Sequence, residues 1–309
     1  MEKSFTNANW SAHAKTYSSV FISLTHRWAV DSLQIAHHTI LHKLQQHEAK
    51  NSTTPFHFLD VGCGPGVLSF EFARRYLTIP TKICITASDL SDGMLQQVRD
   101  NLKEDPTLFP FASKFSTLQS NGLMLEEVND SSVDIIGSNF GLGIFPDRVK
   151  GWATARRVLK EDGLLVITTW SEQSSQMVWF DQLTEMFNII DGEGEPLERP
   201  SLTAGTDQLR VSKELREAGF RNVKVFSTTH TIVFDDPKAI IQANMNNPAT
   251  IKFLERLTKE QIEQTLTEML EKDAQKNFYQ EEEETEIAST DHSLPRLIPF
   301  IGFTILAWK

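Results

Sequence analysis

The chain has 309 residues with 41 acids against 30 Lys plus Arg, a net charge of −11; this opposes nucleic acid or an anionic membrane surface as the main partner. A hydrophobic fraction of 40% and a charged fraction of 23% are ordinary for a globular chain. Two cysteines make no disulfide framework, no apolar run approaches the roughly 18 residues of a membrane span, and the N-terminus lacks a signal-peptide core, so the expected location is cytoplasmic.

Residues 1–50 contain no glycine or proline. Trp10, Tyr17, Phe21, Leu24, Trp28, Leu33, Ile40 and Leu44 fall at helical spacing, so a helical cover is expected at one end of the fold. Asn51 to Pro55 is a linker. Phe56 to Val61 then reads as a buried strand, followed by a tight turn with Gly62, Gly64 and Gly66 and by a helix over Leu68–Tyr76. Glycine leaves the backbone of such a turn open to a ligand, and Asp60 at the strand end can accept hydrogen bonds.

Strands and helices alternate from there. Lys82 to Ser88 is a strand ending at Asp89, and Ser91 caps a helix from Asp92 to about Lys103. Further strands are expected over 114–119, 133–139, 164–170 and 223–227, with the last over 298–308. Helices are expected over 148–159 and 175–188 and from a Ser212 cap to Ala218, stopped by Gly219. This pattern predicts an α/β fold built on a doubly wound, mainly parallel sheet. The stretch 235–294 breaks the alternation: Asp236-Pro237 and Asn247-Pro248 resemble helix starts, and Thr258 to Gln261 fits a capping box. An insertion of about sixty residues is too long for a plain connection, so a helical lid is expected there, with the acidic run Glu281–Glu284 as a solvated loop.

The glycine turn excludes two ligand classes. No Gly-Lys-Ser/Thr follows it, and no basic residue occurs between Gly62 and Arg74, which argues against a phosphate-binding P-loop. Val67 occupies the position where a dinucleotide fingerprint needs its third glycine or alanine. The pattern present is Asp-x-Gly-x-Gly-x-Gly.

That pattern resembles the first motif of the class I S-adenosylmethionine (SAM)-dependent methyltransferases, the small-molecule type akin to the ubiquinone and menaquinone C-methyltransferases. The resemblance spans about residues 56–230 plus the last strand. It implies a seven-stranded Rossmann-like sheet; with the N-terminal helices and the helical insertion before the last strand read above from the residues, the chain divides as 1–50, 51–234, 235–294 and 295–309. It also implies SAM as cofactor, held by Asp60 and by the turn of Gly62, Cys63, Gly64 and Gly66. Asp89 would take the ribose hydroxyls. Leu90 and Met94 would line the adenine, Asn121-Gly122 would meet its amino group, and Ser138-Asn139-Phe140 would lie beside the methionine portion. Arg157 to Ile167 and Glu217 to Phe220 are also similar to family segments, and Tyr17 stands where relatives place a tyrosine over the cofactor.

The acceptor is expected to be a small molecule. Methyl transfer is an in-line displacement in which positioning does most of the work, and a base is needed only if the acceptor must first lose a proton. His230 and His292 are the candidates for that base. Cys63 has no partner in view and reads as filler of the turn rather than a nucleophile. His38 and His42 lack the acid that would complete a metal site. A SAM-binding scaffold without activity, and O- or N-methylation rather than C-methylation, stay open on the sequence.

Overall fold

The computed structural model describes residues 5–190, 199–200, 203, 205–234, 244, 247–262, 264–265, 268 and 296–309. Helix α1 runs unbroken over Asn7–Ala49, 43 residues, started by Thr6, which accepts a hydrogen bond from the Asn9 amide. Several N-terminal helices were implied; one is found, because no glycine or proline interrupts it. Its inward stripe of Phe21, Leu24, Trp28, Leu33, Ile40 and Leu44 is buried. It packs on α2 (Val67–Tyr76), α3 (Asp92–Glu104) and the far half of the sheet.

The strands are β1 (Phe56–Val61), β2 (Ile83–Asp89), β3 (Phe115–Gln119), β4 (Val133–Asn139), β5 (Leu159–Trp170), β6 (Arg221–Phe234) and β7 (Arg296–Trp308). They form one sheet in the order β3-β2-β1-β4-β5-β7-β6. The first five are parallel, and β7 runs antiparallel between β5 and β6. Strand order reverses between β1 and β4, which opens a crevice beyond their carboxyl ends. Successive β1 side chains serve opposite cores. Phe56 and Phe58 join the core under α1 and α2, while Leu59 and Val61 join the one under α4 (Arg148–Val158) and α6 (Gln208–Glu217). Phe58 stacks on Phe72 at 3.9 Å.

Three elements depart by more than two residues from the expected boundaries. Strand β6 is 14 residues long instead of five, because Ser227 to Thr231 lacks apolar alternation and is held by pairing with β7. Strand β5 begins at Leu159, beside Val133. Helix α6 begins at Gln208: Asp207 is its cap, accepting from the Leu209 and Arg210 amides at 2.9 and 3.0 Å, and Ser212 sits inside the helix. Asp207→Ala is therefore expected to lower stability by about 1 kcal/mol in urea unfolding. Gly219 stops the helix in the left-handed region at φ +92°.

In the insertion, the Thr258 amide donates to Gln261 Oε1 at 2.9 Å and the Gln261 amide to Thr258 Oγ1 at 3.2 Å, the reciprocal bonds of a capping box. Asn247 Oδ1 accepts from the Ala249 amide, ahead of the short helix α7 (Ile251–Leu254), which has Thr250 as its N-cap. Ala249, Phe253, Leu257 and Ile262 pack in one cluster with Trp179 and Phe180 of α5 (Ser175–Ile190) and with Phe140 and Trp170. Asp236-Pro237, the acidic run and His292 lie outside the described residues. Among the described residues no helix is long and apolar enough to cross a membrane.

Candidate active site

A cleft opens at the carboxyl ends of β1, β2 and β4, under the first half of α1. Its floor is the glycine turn. Gly62, Gly64 and Gly66 all have positive φ, at +66°, +53° and +96°. A side chain there is strained. Gly62, Cys63 and Gly64 face the cleft. Gly66 does not; it is the N-cap residue of α2, where a Cβ would lie 2.8 Å from the Phe70 ring. At Gly64 a Cβ would meet only Tyr17 Cε1, at 3.9 Å. Gly64→Ala therefore strains the backbone without a clash, and a loss of about 1 kcal/mol in folding stability is expected by thermal unfolding.

Asp60 lies behind the turn, fully buried. Its Oδ2 accepts from the Ser69 amide at 3.0 Å and the Ser69 hydroxyl at 2.7 Å, which ties α2 to the end of β1. Its Oδ1 is buried without a partner. Burial pushes this carboxyl up to about 7, against the Ser69 hydrogen bonds that favour its charged form.

Asp89, at the end of β2, faces the cleft. One oxygen accepts from the Gly64 amide and the other from the Ser91 amide, both at 2.8 Å, so one side chain joins the turns after β1 and β2. A carboxylate has about four acceptor sites, so each oxygen can take another donor. Burial raises its pKa, and the amide hydrogen bonds oppose that rise. Ser91 caps α3 by accepting from the Met94 amide, and Leu90 and Met94 continue this wall.

Tyr17 reaches over the turn from α1. Burial, with Asp89 adding to it, lifts its phenol to about 12, so it stays neutral. Cys63 also faces the cleft, but burial beside Asp89 and Asp60 raises its thiol pKa well above the ordinary value and makes it a poor nucleophile. Asn121 lines the cleft, yet its amide oxygen is already engaged by the Leu123 amide at 3.0 Å. Gly122 lies outside the cleft lining, closely packed: a Cβ there would lie 2.6 Å from Phe145. Ser138 is buried, donating to the Val61 carbonyl and accepting from the Leu142 amide.

Asn139 and Phe140 do face the cleft. Asn139 spans the Thr25 carbonyl and the Thr168 hydroxyl. Phe140 is held at φ +53°, uncommon for a residue with a side chain. Its ring stacks on Trp170 at 4.1 Å. Phe5, Trp10, Ile144, Phe145 and Pro146 add apolar surface to the cleft. The sequence reading passed over these residues, although Trp10 lies on the same helical stripe as Tyr17.

His230 is not in the cleft. It bonds Asp31 at 2.7 Å and packs on Trp28, whose ring stands against Phe140 on the cleft side.

Among the described residues no lysine, arginine or histidine lines the cleft. A glycine cradle, a paired acid at the next strand end and the absence of phosphate-binding cations fit SAM, a sulfonium without phosphate. Together with the doubly wound sheet they define a class I SAM-dependent methyltransferase. Residues 10–235 match the ubiE/COQ5 methyltransferase family, and the chain belongs to that family.

Similar proteins include the malonyl-[acyl-carrier protein] O-methyltransferase of Geobacter sulfurreducens. It is 26% identical over 189 residues, which are 61% of this chain and 64% of that enzyme. The ubiquinone/menaquinone biosynthesis C-methyltransferase UbiE of Francisella philomiragia is 26% identical over 241 residues, 74% of this chain and 92% of the relative. The fold is shared with a crystal structure from Bacillus halodurans C-125 at 17% identity and a TM-score of 0.53, covering 87% of this chain and 98% of that one.

Proposed function

We propose that the enzyme transfers the methyl group of SAM to a planar, largely apolar small molecule with a quinone-like or phenolic ring. The observation that carries this reading is the lining of the cleft. Asp89, Leu90, Met94 and the glycine turn share it with the apolar side chains of Phe5, Trp10, Phe140, Ile144 and Phe145. Aromatic walls suit a flat acceptor ring. The UbiE relatives, named for ubiquinone and menaquinone biosynthesis, support ring C-methylation; the Geobacter O-methyltransferase keeps O-methylation as the second reading.

SAM, when bound, supplies an electrophilic methyl group on a sulfonium. In this reading Asp89 and the Gly62–Gly64 backbone hold the nucleoside. Tyr17 covers the turn, and Asn139 and Phe140 border the reacting end, where the apolar wall excludes water and fixes the acceptor. Residues 1–50 serve as the cover, with Trp10, Tyr17 and Thr25 supplying its contacts. Residues 235–294 serve as the lid, supported by the packing of Ala249, Phe253 and Ile262 in the same cluster as Phe140. The free thiols Cys63 and Cys84 support a reducing, cytoplasmic setting, and the acidic balance supports a small-molecule rather than nucleic-acid acceptor. The test is a screen of hydroxylated aromatic compounds with radiolabelled SAM. Label in a ring-methylated product is expected; turnover confined to acceptors without a ring would overturn the reading.

A further inference from the structure

We propose that Thr168 is a positioning residue of the cofactor site: its hydroxyl fixes which way round the Asn139 amide is held, so that Asn139 presents an N–H to the carboxylate on the amino-acid arm of SAM. This inference rests on the reading above, that Asn139 borders a bound SAM.

Thr168 is buried in β5, behind the cleft lining. It is the register partner of Asn139, the last residue of β4, across a parallel pair, which sets the two side chains next to each other on one face of the sheet. Three hydrogen bonds run through them in one direction. The Phe140 amide donates to Thr168 Oγ1 at 3.0 Å, Thr168 Oγ1 donates to Asn139 Oδ1 at 2.8 Å, and Asn139 Nδ2 donates to the Thr25 carbonyl of α1 at 3.2 Å. Both ends of this chain are backbone groups of fixed role: an amide only donates and a carbonyl only accepts. The one hydroxyl hydrogen of Thr168 is therefore left for Asn139, and the Thr25 carbonyl requires the amide nitrogen on its side. A flipped amide would turn its oxygen on the Thr25 carbonyl, acceptor against acceptor.

An amide nitrogen carries two hydrogens, and among the described residues Asn139 Nδ2 has one acceptor. Asn139 lines the cleft, so its second N–H is the group left for a ligand. The strand order says which part of the ligand it meets. In β3-β2-β1-β4-β5 the glycine turn after β1 lies between Asp89, at the end of β2, and Asn139, at the end of β4. With the nucleoside on Asp89, the amino-acid arm of SAM extends across the turn to the β4 side. That arm carries a carboxylate, and among the described residues the cleft offers it no lysine, arginine or histidine. An N–H donated to an anion makes a charge-assisted hydrogen bond, stronger than a neutral one. Without the Thr168 hydroxyl, Asn139 Oδ1 loses its donor and the amide turns more freely away from this pose.

The test compares S-adenosylhomocysteine with S-adenosyl-3-thiopropylamine, which keeps the ammonium and lacks the carboxylate, by calorimetric titration. The wild type is expected to prefer S-adenosylhomocysteine by about tenfold or more. Thr168→Val keeps the shape, removes the hydroxyl and is expected to cut that preference to about threefold or less, with affinity for the amine within about twofold of the wild type. Thr168→Ser keeps the hydroxyl and is expected to keep the preference. A loss shared equally by both ligands would make Thr168 a structural residue and overturn the proposal. An unchanged preference in Thr168→Val, or a serine variant that behaves like the valine one, overturns it as well. If Thr168→Val does not fold, side-chain amide spectra of the wild type with nitrogen-15 asparagine decide, the Asn139 signal being the one absent from Asn139→Asp. An Asn139 amide proton that shifts with S-adenosylhomocysteine and not with the amine supports the contact; equal shifts, or none, refute it. A wild type that binds neither ligand strikes at the methyltransferase reading itself, whereas equal affinities for the two ligands overturn this inference alone.

Discussion

Replacing Asp89 by alanine is expected to weaken S-adenosylhomocysteine binding at least about tenfold, or about 1.4 kcal/mol, in a calorimetric titration. Two effects add. The ligand loses an anionic acceptor, and charge-assisted hydrogen bonds are the stronger kind. The Gly64 and Ser91 amides also lose theirs, so the turns after β1 and β2 are no longer joined. Asp89→Asn keeps the shape and one oxygen, and an intermediate loss is expected. Affinity unchanged in Asp89→Ala would remove this residue from the cofactor site and with it the reading of the cleft on which the proposed function rests.

The second large effect is a pH dependence. Asp60 has an ordinary pKa of 3.8 and a folded one of about 7. Between those values the folded protein keeps a proton that the unfolded chain has released. Stability from this group is therefore lost as pH rises from about 4 to about 7. Over that window the loss amounts to roughly 2–4 kcal/mol. Asp60→Asn keeps an acceptor for Ser69 and cannot titrate. Urea unfolding of the two proteins at pH 5 and pH 8 should show the asparagine variant gaining on the wild type as pH rises. His13 works in the opposite direction. Its folded pKa of about 4 lies below the ordinary 6.5, so its contribution grows as pH rises between those values. Both proteins contain His13, and the comparison cancels it. A constant difference between them at the two pH values would show that Asp60 is ionised throughout.

Much of the fold was legible because β1, β4 and the helix after Ser91 depend on local patterns. The Phe56–Val61 run, the glycine turn and the Ser91 cap appear at their expected places. The extension of β6 was not legible, because its alternation is polar and its partner β7 lies some seventy residues further on. Likewise Ser212 and Asp207 are both good caps by composition, and only the packing of Val211 and Leu215 into the core fixes where the helix begins.

At the site, the sequence by itself determined the cofactor class. A turn that must be glycine, an acid at the next strand end and the absence of a nearby base are properties of residue type and spacing. Only the tertiary structure decided which of those residues face the cleft. It turned Asp60, Gly66, Gly122 and Ser138 into supports behind the wall, and it set His230 against Asp31 on the far side of Trp28. It also brought Phe5, Trp10 and Phe145 together and left His13 without a partner. Those outcomes depend on how a 43-residue helix lies across the sheet. Its local sequence makes the helix, but long-range packing chooses which stripe faces the ligand.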